Sequence, residues 1–247
     1  MEPQDATTTP PASEVRRLTG VCFDPGAVFA DIANNGRWWA AWLIITILIS
    51  VFMSLVISRV GYDQIIAKTM ESNPRMQEMP ADQKEKAVEM QRKIMPYALR
   101  LGPVLGGLVM VLVAAGALLF VFNFMFDAGL KFKQVLNLYA YSGIPPSVVS
   151  IAASILVLYL KAPDEFDIQK PLAFNVGAFL PETSAKWLQS IGASLDVFTF
   201  WQIALVAVGF SAVCGAKRMP FGRALTGVLI PWIAYVLAKT AWAAMFG

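Results

Sequence analysis

Histidine is missing from all 247 residues. Its absence removes the side chain that most often acts as a general base near neutral pH and most often ligates metals. Cysteine is almost missing too. Cys22 and Cys214 stand far apart with no CxxC spacing, so neither a zinc cluster nor a disulfide framework can be built. Charge is scarce, at 15% of residues against about 25% in a soluble domain, and the net value of +3 is scattered over loops. That distribution speaks against a nucleic acid partner. The one stretch resembling a phosphate loop, "GFSAVCGAKR" (209–218), fails on spacing. Its glycines are a residue too far apart, Ala216 intervenes before Lys217, and no Ser or Thr follows the lysine. No catalytic residues, metal site or cofactor is expected.

What the chain has in abundance is apolar length. Hydrophobic residues make up 57% of it, mean hydropathy is +0.57, and the apolar residues fall in long uncharged blocks. Residues 38–58 rise roughly 32 Å as a helix, enough to cross a hydrocarbon core of about 30 Å, and Trp38, Trp39 and Trp42 suit its interfacial end. Further spans are predicted over 101–126, 135–160, 197–216 and 224–246. The fold class is therefore all-α, a bundle of five transmembrane helices with short interfacial helices. Residues 1–21, polar and rich in Pro and Thr, read as a disordered tail, and residues 22–247 as one membrane domain.

Between spans the pattern changes. In "CFDPGAVFADIANNGRW", Asp24 is placed to cap a short helix, Pro25 suits its first position, and Gly36 can end it. Phe29, Ile32 and Ala33 share a face that would be buried by lying flat in the headgroup region. Trp187, Leu188, Ile191 and Leu195 predict a second interfacial helix. Pro80 can open a helix whose Asp82/Lys86 and Glu89/Lys93 pairs each stand one turn apart, and Pro96 should end or kink it. Asp164, Glu165 and Asp167 read as a solvated acidic loop. Within 101–126, Gly102 and Gly106 form a GxxxG, read first as helix packing inside the chain and second as a self-association face.

The stretch "LYAYSGIPPSVVSIAASILVLYL" (138–160) carries Pro145 and Pro146 inside an apolar run. Only fourteen residues follow Pro146 up to Leu160, about 21 Å of helix, so the third span cannot begin at the prolines. A kinked span is expected, with Ser142 or a neighbouring helix satisfying the freed carbonyls. Tyr139 and Tyr141 then face either a neighbour or a cavity. Lys239 is the only charge inside a predicted span, where a lysine costs about 2.5–3.5 kcal/mol on insertion scales. It can snorkel to the interface, pair with Asp196 or an acidic lipid, or serve recognition.

Three segments, in order, resemble the YIP (Ypt-interacting protein) family. "LDVFTFWQIALVAVGF" is similar to the segment leading into that family's fourth span, and "YAYSGIPPSVVSI" to its tyrosine-rich, proline-containing third span. "FDPGAVFADI" is similar to the short helix before the first span in bacterial members. The resemblance covers residues 22–247. It implies a five-span bundle with a cytoplasmic N-terminus and the C-terminus across the membrane. Charge alone leaves sidedness open: basic residues in the short N-terminal-side turns favour that orientation, while eight basic residues in 59–100 oppose it. Eukaryotic relatives bind Rab-type GTPases in ER–Golgi traffic. Here the region before the first span is short and the Asp-Leu-(Tyr/Trp)-Gly-Pro stretch is missing, which counts against GTPase binding. A bacterial cytoplasmic-membrane member is expected, with an ER/Golgi protein as the alternative.

The resulting expectation is a non-enzymatic membrane scaffold or adaptor. Its partners would be the bilayer, other membrane proteins or a second copy of itself. A small transporter or channel with its site at the broken third span is the alternative. The candidate partner-facing residues are Tyr139, Tyr141, Ser142, Pro145, Pro146 and Lys239.

Overall fold

The computed structural model describes residues 12–71, 76, 79–168, 171–181 and 183–246. Its described residues form helices and loops, with no strand beyond an isolated bridge between Asn175 and Asp196. Five helical segments are long and apolar enough to cross a bilayer, over 38–60, 81–126, 132–160, 197–214 and 221–245, and each corresponds to one predicted span.

The chain becomes helical earlier than expected. Residues 14–21, assigned above to a disordered tail, belong to α1 (Glu14–Phe23). Ser13 starts it by accepting the Arg16 N–H (3.3 Å), and Arg17 and Val21 turn into the protein. Residues 1–11 lie outside the described set.

In α2 (Pro25–Asn35), Pro25 occupies the first turn and Gly36 follows the last, as predicted. Asp24 makes no capping bond through its side chain. Its backbone must also end α1, where its N–H bonds the Gly20 carbonyl (2.7 Å), and that geometry turns the carboxylate away. The apolar face of α2 does not lie on lipid either. Val28, Phe29, Ile32 and Ala33 are buried against the helices over Phe132–Ser142 and Val197–Cys214.

The first span is α3 (Trp38–Val60), and α4 (Tyr62–Glu71) turns back after Gly61, whose φ of 82° is in the region that glycine tolerates best. Then comes α5 (Ala81–Phe126), 46 residues in one helix. Pro96 neither ends nor interrupts it, and Pro103 also lies inside. Each proline removes a single backbone bond, and the long apolar segment in lipid keeps the rest of the ladder paired. At about 1.5 Å per residue, α5 is roughly 69 Å long, far more than one bilayer crossing. Its first part, Ala81–Lys86, is exposed at every position and forms an arm beyond the apolar segment. Of the two pairs predicted from spacing, Glu89–Lys93 is present (2.8 Å) and Asp82–Lys86 is not among the ion pairs of the described residues, both side chains being exposed to water; Arg92 reaches Asp63 of α4 (2.8 Å).

The third span is two helices in line, α6 (Phe132–Ser142) and α7 (Ile144–Leu160), separated by Gly143 alone. Gly143 keeps helical dihedrals (φ −75°, ψ −18°), so the chain continues across the prolines. A Cβ at 143 would meet Ile45 and Gln202 at 3.3 and 3.4 Å, showing how closely the first and fourth spans approach this junction. The Ser142 hydroxyl donates to the Leu138 carbonyl (2.7 Å) and not to a carbonyl freed by the prolines. The Gly143 N–H instead bonds back to Ala140 and Tyr141 in a tightened turn.

A short 3₁₀ turn (Val176–Phe179) and α8 (Lys186–Ser194) precede the fourth span, α9 (Val197–Cys214), and the fifth, α10 (Phe221–Phe246). The main core joins α2, α5, α6, α9 and α10, with Phe122 stacked on Phe210 (centroids 3.6 Å). A smaller core around Phe52, Val56, Ile65, Leu158 and Phe166 closes the other end. Outward positions such as Leu105, Val109, Phe120 and Phe124 are exposed and apolar, as a lipid-facing surface requires. Gly102 and Gly106 are on that outward side. A Cβ added at either would meet no atom of another helix within 4 Å, so they do not pack helices within this chain.

Candidate functional site

Two polar sites interrupt the apolar bundle, and α6 contributes to both. The first begins with Asn137, fully buried one helical turn before Tyr141. Its amide nitrogen donates to the Ile32 and Ala33 carbonyls (3.1 and 3.2 Å) in the last turn of α2, where the Ile32 carbonyl also accepts the Gly36 N–H (2.8 Å). Its oxygen accepts the Trp38 N–H (2.9 Å), one of the unpaired donors at the start of α3. The Tyr141 hydroxyl accepts the neighbouring Arg37 N–H (3.2 Å). One face of α6 thus clamps the corner between α2 and α3.

Tyr141 extends the site by donating to Glu14 of α1 (2.5 Å). Glu14 also bonds Arg17 (2.8 Å), and Arg17 bonds Asp31 of α2 (2.6 Å), while Arg37 stands 3.8 Å from Glu14. Arg17 is only 5% exposed. Burial works against the Asp31 carboxylate, but its bonds to Arg17 and Asn35 prevail and hold its pKa below the ordinary carboxylate value. Burial also opposes the Arg17 charge, and the two carboxylates more than offset it and push that pKa up. Two acids and two bases leave the cluster electrically balanced. Its members are locked in mutual bonds, an arrangement suited to holding α1 and α2 against the bundle and not to proton transfer.

The second site is an open-sided cavity of about 410 Å³ lined by α5, α6, α8, α9 and α10. Helical spacing builds its walls: Met110, Val113, Ala114 and Ala117 on α5, Thr199, Gln202, Ile203 and Val206 on α9, and Val228, Pro231, Trp232, Tyr235 and Lys239 on α10. Tyr139 enters from α6 beside Gln202 and Tyr235. Most of the lining is apolar, and the polar groups gather toward α8, where Lys239 Nζ lies 3.4 Å from Ser194 Oγ. Asp196 does not pair with Lys239. It caps α9, accepting the Thr199 N–H (2.9 Å) and the Thr199 hydroxyl (3.3 Å).

The two tyrosines of "YAYSG" therefore part company: Tyr141 meets neighbouring helices and Tyr139 a cavity. Ser142, Pro145 and Pro146 are buried in packing and line no part of that cavity. Sequence reasoning missed Asn137, Gln202 and the Arg17–Asp31 pair. Asn137 and Tyr141 had a readable signal, two polar residues at i and i+4 within an uncharged run. Among the described residues, no group of three Cys, Asp or Glu side chains converges as a metal site would.

The Yip1 domain family is matched over residues 19–243. No curated protein and no solved structure matches the chain.

Proposed function

The chain belongs to the Yip1-domain family, and on that footing we propose that it is a non-enzymatic membrane adaptor that engages partners through the arm of α5. The observation that carries this reading is the continuity of α5, whose charged segment passes into the second span without a break. An exposed helix with Asp82, Lys84, Glu85 and Lys86 on the outside, fixed to a membrane bundle, is a recognition element held at a set distance from the bilayer. Support also comes from the cluster around Arg17, where the buried ionisable groups are spent on structure. The adaptor is favoured over a transporter with its site at the prolines, because Pro145 and Pro146 pack against neighbours and do not line the cavity.

The proposed setting is the cytoplasmic membrane of a bacterium, with the N-terminus inside. On one face of the bundle lie α1, α2 and the turns at 127–131 and 215–220, which Arg218 joins by bonding the Asp127 carbonyl. Lys131, Lys133, Lys217, Arg218 and Arg223 lie at this end, as expected of a cytoplasmic face. The arm would then stand on the opposite face.

A photo-crosslinking residue at Lys86, compared with one at Val109 on the lipid-facing surface, tests the reading in native membranes. Discrete protein adducts from position 86 and only lipid adducts from 109 are expected. Absence of adducts at 86, together with solute flux in proteoliposomes that depends on Tyr139 of the cavity, would overturn it in favour of transport.

A further inference from the structure

Spans of a bundle ordinarily close on one another, yet α5, α9 and α10, which pack together elsewhere along their lengths, leave about 410 Å³ between them, within the usual range of roughly 300–1,000 Å³ for ligand pockets. Among the described residues, the lining contains one cation, Lys239, and no carboxylate. Nearby Asp196 is committed to capping α9, and the contact that Lys239 makes is with the neutral Ser194 hydroxyl. A cation held beside neutral hydroxyl and amide groups complements an anion, and a lysine near a low-dielectric wall gains more from one than it would in water.

Where the cavity opens decides what kind of anion fits. Met110 and Val113 on α5 are 51% and 61% exposed, and Tyr235 on α10 is 53% exposed. These residues lie on spans, so the mouth faces sideways into the bilayer and not into water. From Val228 to Lys239 is eleven residues of α10, about 16 Å of helix, with apolar walls at one end and polar groups at the other. That shape and polarity match an amphiphile lying along the bundle, tail toward the membrane centre and head at the interface.

We propose that this cavity is a binding site for an anionic phospholipid. One acyl chain lies between α5, α9 and α10 against Val113, Ile203, Val206 and Val228, and the headgroup phosphate sits on Lys239 Nζ with Ser194 Oγ beside it. Gln202, Tyr139 and Tyr235 provide hydrogen-bonding groups for the ester region. This site is independent of the arm, and the adaptor reading can fail without it.

The test is native mass spectrometry of the full chain in detergent, titrated with phosphatidylglycerol or with phosphatidylcholine of the same acyl chains. The wild type should retain phosphatidylglycerol at least tenfold more tightly. Lys239→Gln should abolish that preference while residual binding of both lipids persists, and Lys239→Arg should restore it. Ala117→Phe fills the cavity from α5 and should weaken both lipids. Should that variant fail to fold, Ala117→Cys, folded first and then capped with a bulky thiol reagent in a background lacking Cys22 and Cys214, makes the same obstruction. Equal affinity for the two lipids, an unchanged preference in Lys239→Gln, or unchanged binding after the cavity is blocked would each overturn the proposal. The last result would place the retained lipid on the outer surface of the bundle.

Discussion

The side-chain oxygen of Asn137 accepts the backbone N–H of Trp38 at 2.9 Å, across 99 positions of sequence, while the same amide donates to the end of α2. One buried side chain therefore completes the hydrogen bonding of two helix ends that would otherwise face an apolar core. A helix terminus buried without such partners is costly, because each unmatched polar group has lost its water.

Asn137→Leu keeps the branched heavy-atom skeleton and removes all three bonds. The Ile32 and Ala33 carbonyls and the Trp38 N–H are then left without this partner, with an expected cost of about 2 kcal/mol or more. Thermal unfolding in detergent, followed by tryptophan fluorescence, should show a clearly lowered midpoint. An unchanged midpoint would mean that water replaces the amide.

Arg17→Met should be more damaging than Arg17→Met combined with Asp31→Leu. The single change strands a carboxylate that is largely buried, at a cost of up to about 3–5 kcal/mol for such pairs, whereas the double change removes both charges. A double-mutant cycle on the unfolding midpoint checks this. Additive losses would show that the two side chains do not depend on one another.

Acid should loosen the same cluster. The Asp31 pKa is lowered in the folded protein, so its contribution is complete above the unfolded carboxylate value of about 3.9 and is lost as pH falls through the lower folded value. A spin label at Phe23, 88% exposed and free of the core, should stay immobilised with α1 at pH 5 and gain mobility below about pH 4. Asp31→Asn should remove the transition from this window.

Cys22 offers a check on sidedness. It is exposed overall, but its sulfur is turned toward the Leu18 carbonyl (3.6 Å), and partial burial pushes the thiol pKa up. Less thiolate is present at pH 7, so labelling should quicken as pH rises toward 9. With the N-terminus cytoplasmic, an impermeant maleimide should label Cys22 in inverted vesicles and not in intact cells. The reverse pattern would turn the molecule over.

Gly102→Ala and Gly106→Ala should each cost the isolated chain at most about 0.5 kcal/mol, since an added Cβ would meet no atom of another helix within 4 Å. A larger loss, dependent on protein concentration, would reveal a second copy against this face.

The five spans were legible in the sequence because crossing a bilayer demands one measurable property, an uncharged run of sufficient length. The helix starts at Pro25 and Pro80 were legible for a similar reason, since proline's missing N–H suits a first turn and little else. The fate of the α2 face was not. Phe29, Ile32 and Ala33 form the same stripe whether it rests on lipid or on α6 and α9, and only the tertiary fold distinguishes them. The Arg17–Asp31 pair escaped because both residues lie in segments that read as tail and interface. Pro96 misled because a single lost hydrogen bond is a small fraction of a 46-residue helix. Lys239 was recognised as unusual, but its surroundings come from α5, α8 and α9, and no local pattern announces a cavity made by distant helices.

The length of α5 has a geometric consequence. Its arm has no joint of its own with the bilayer, so its bearing follows that of the second span. Membrane helices tilt by about 20° on average, and a change of that size would swing Ala81, about 30 Å of helix from the start of the apolar segment near Leu101, sideways by about 10 Å. Bilayer thickness, a property of the lipid alone, thereby becomes an address in the aqueous phase: it sets where over the membrane plane the charged tip of this protein can be met.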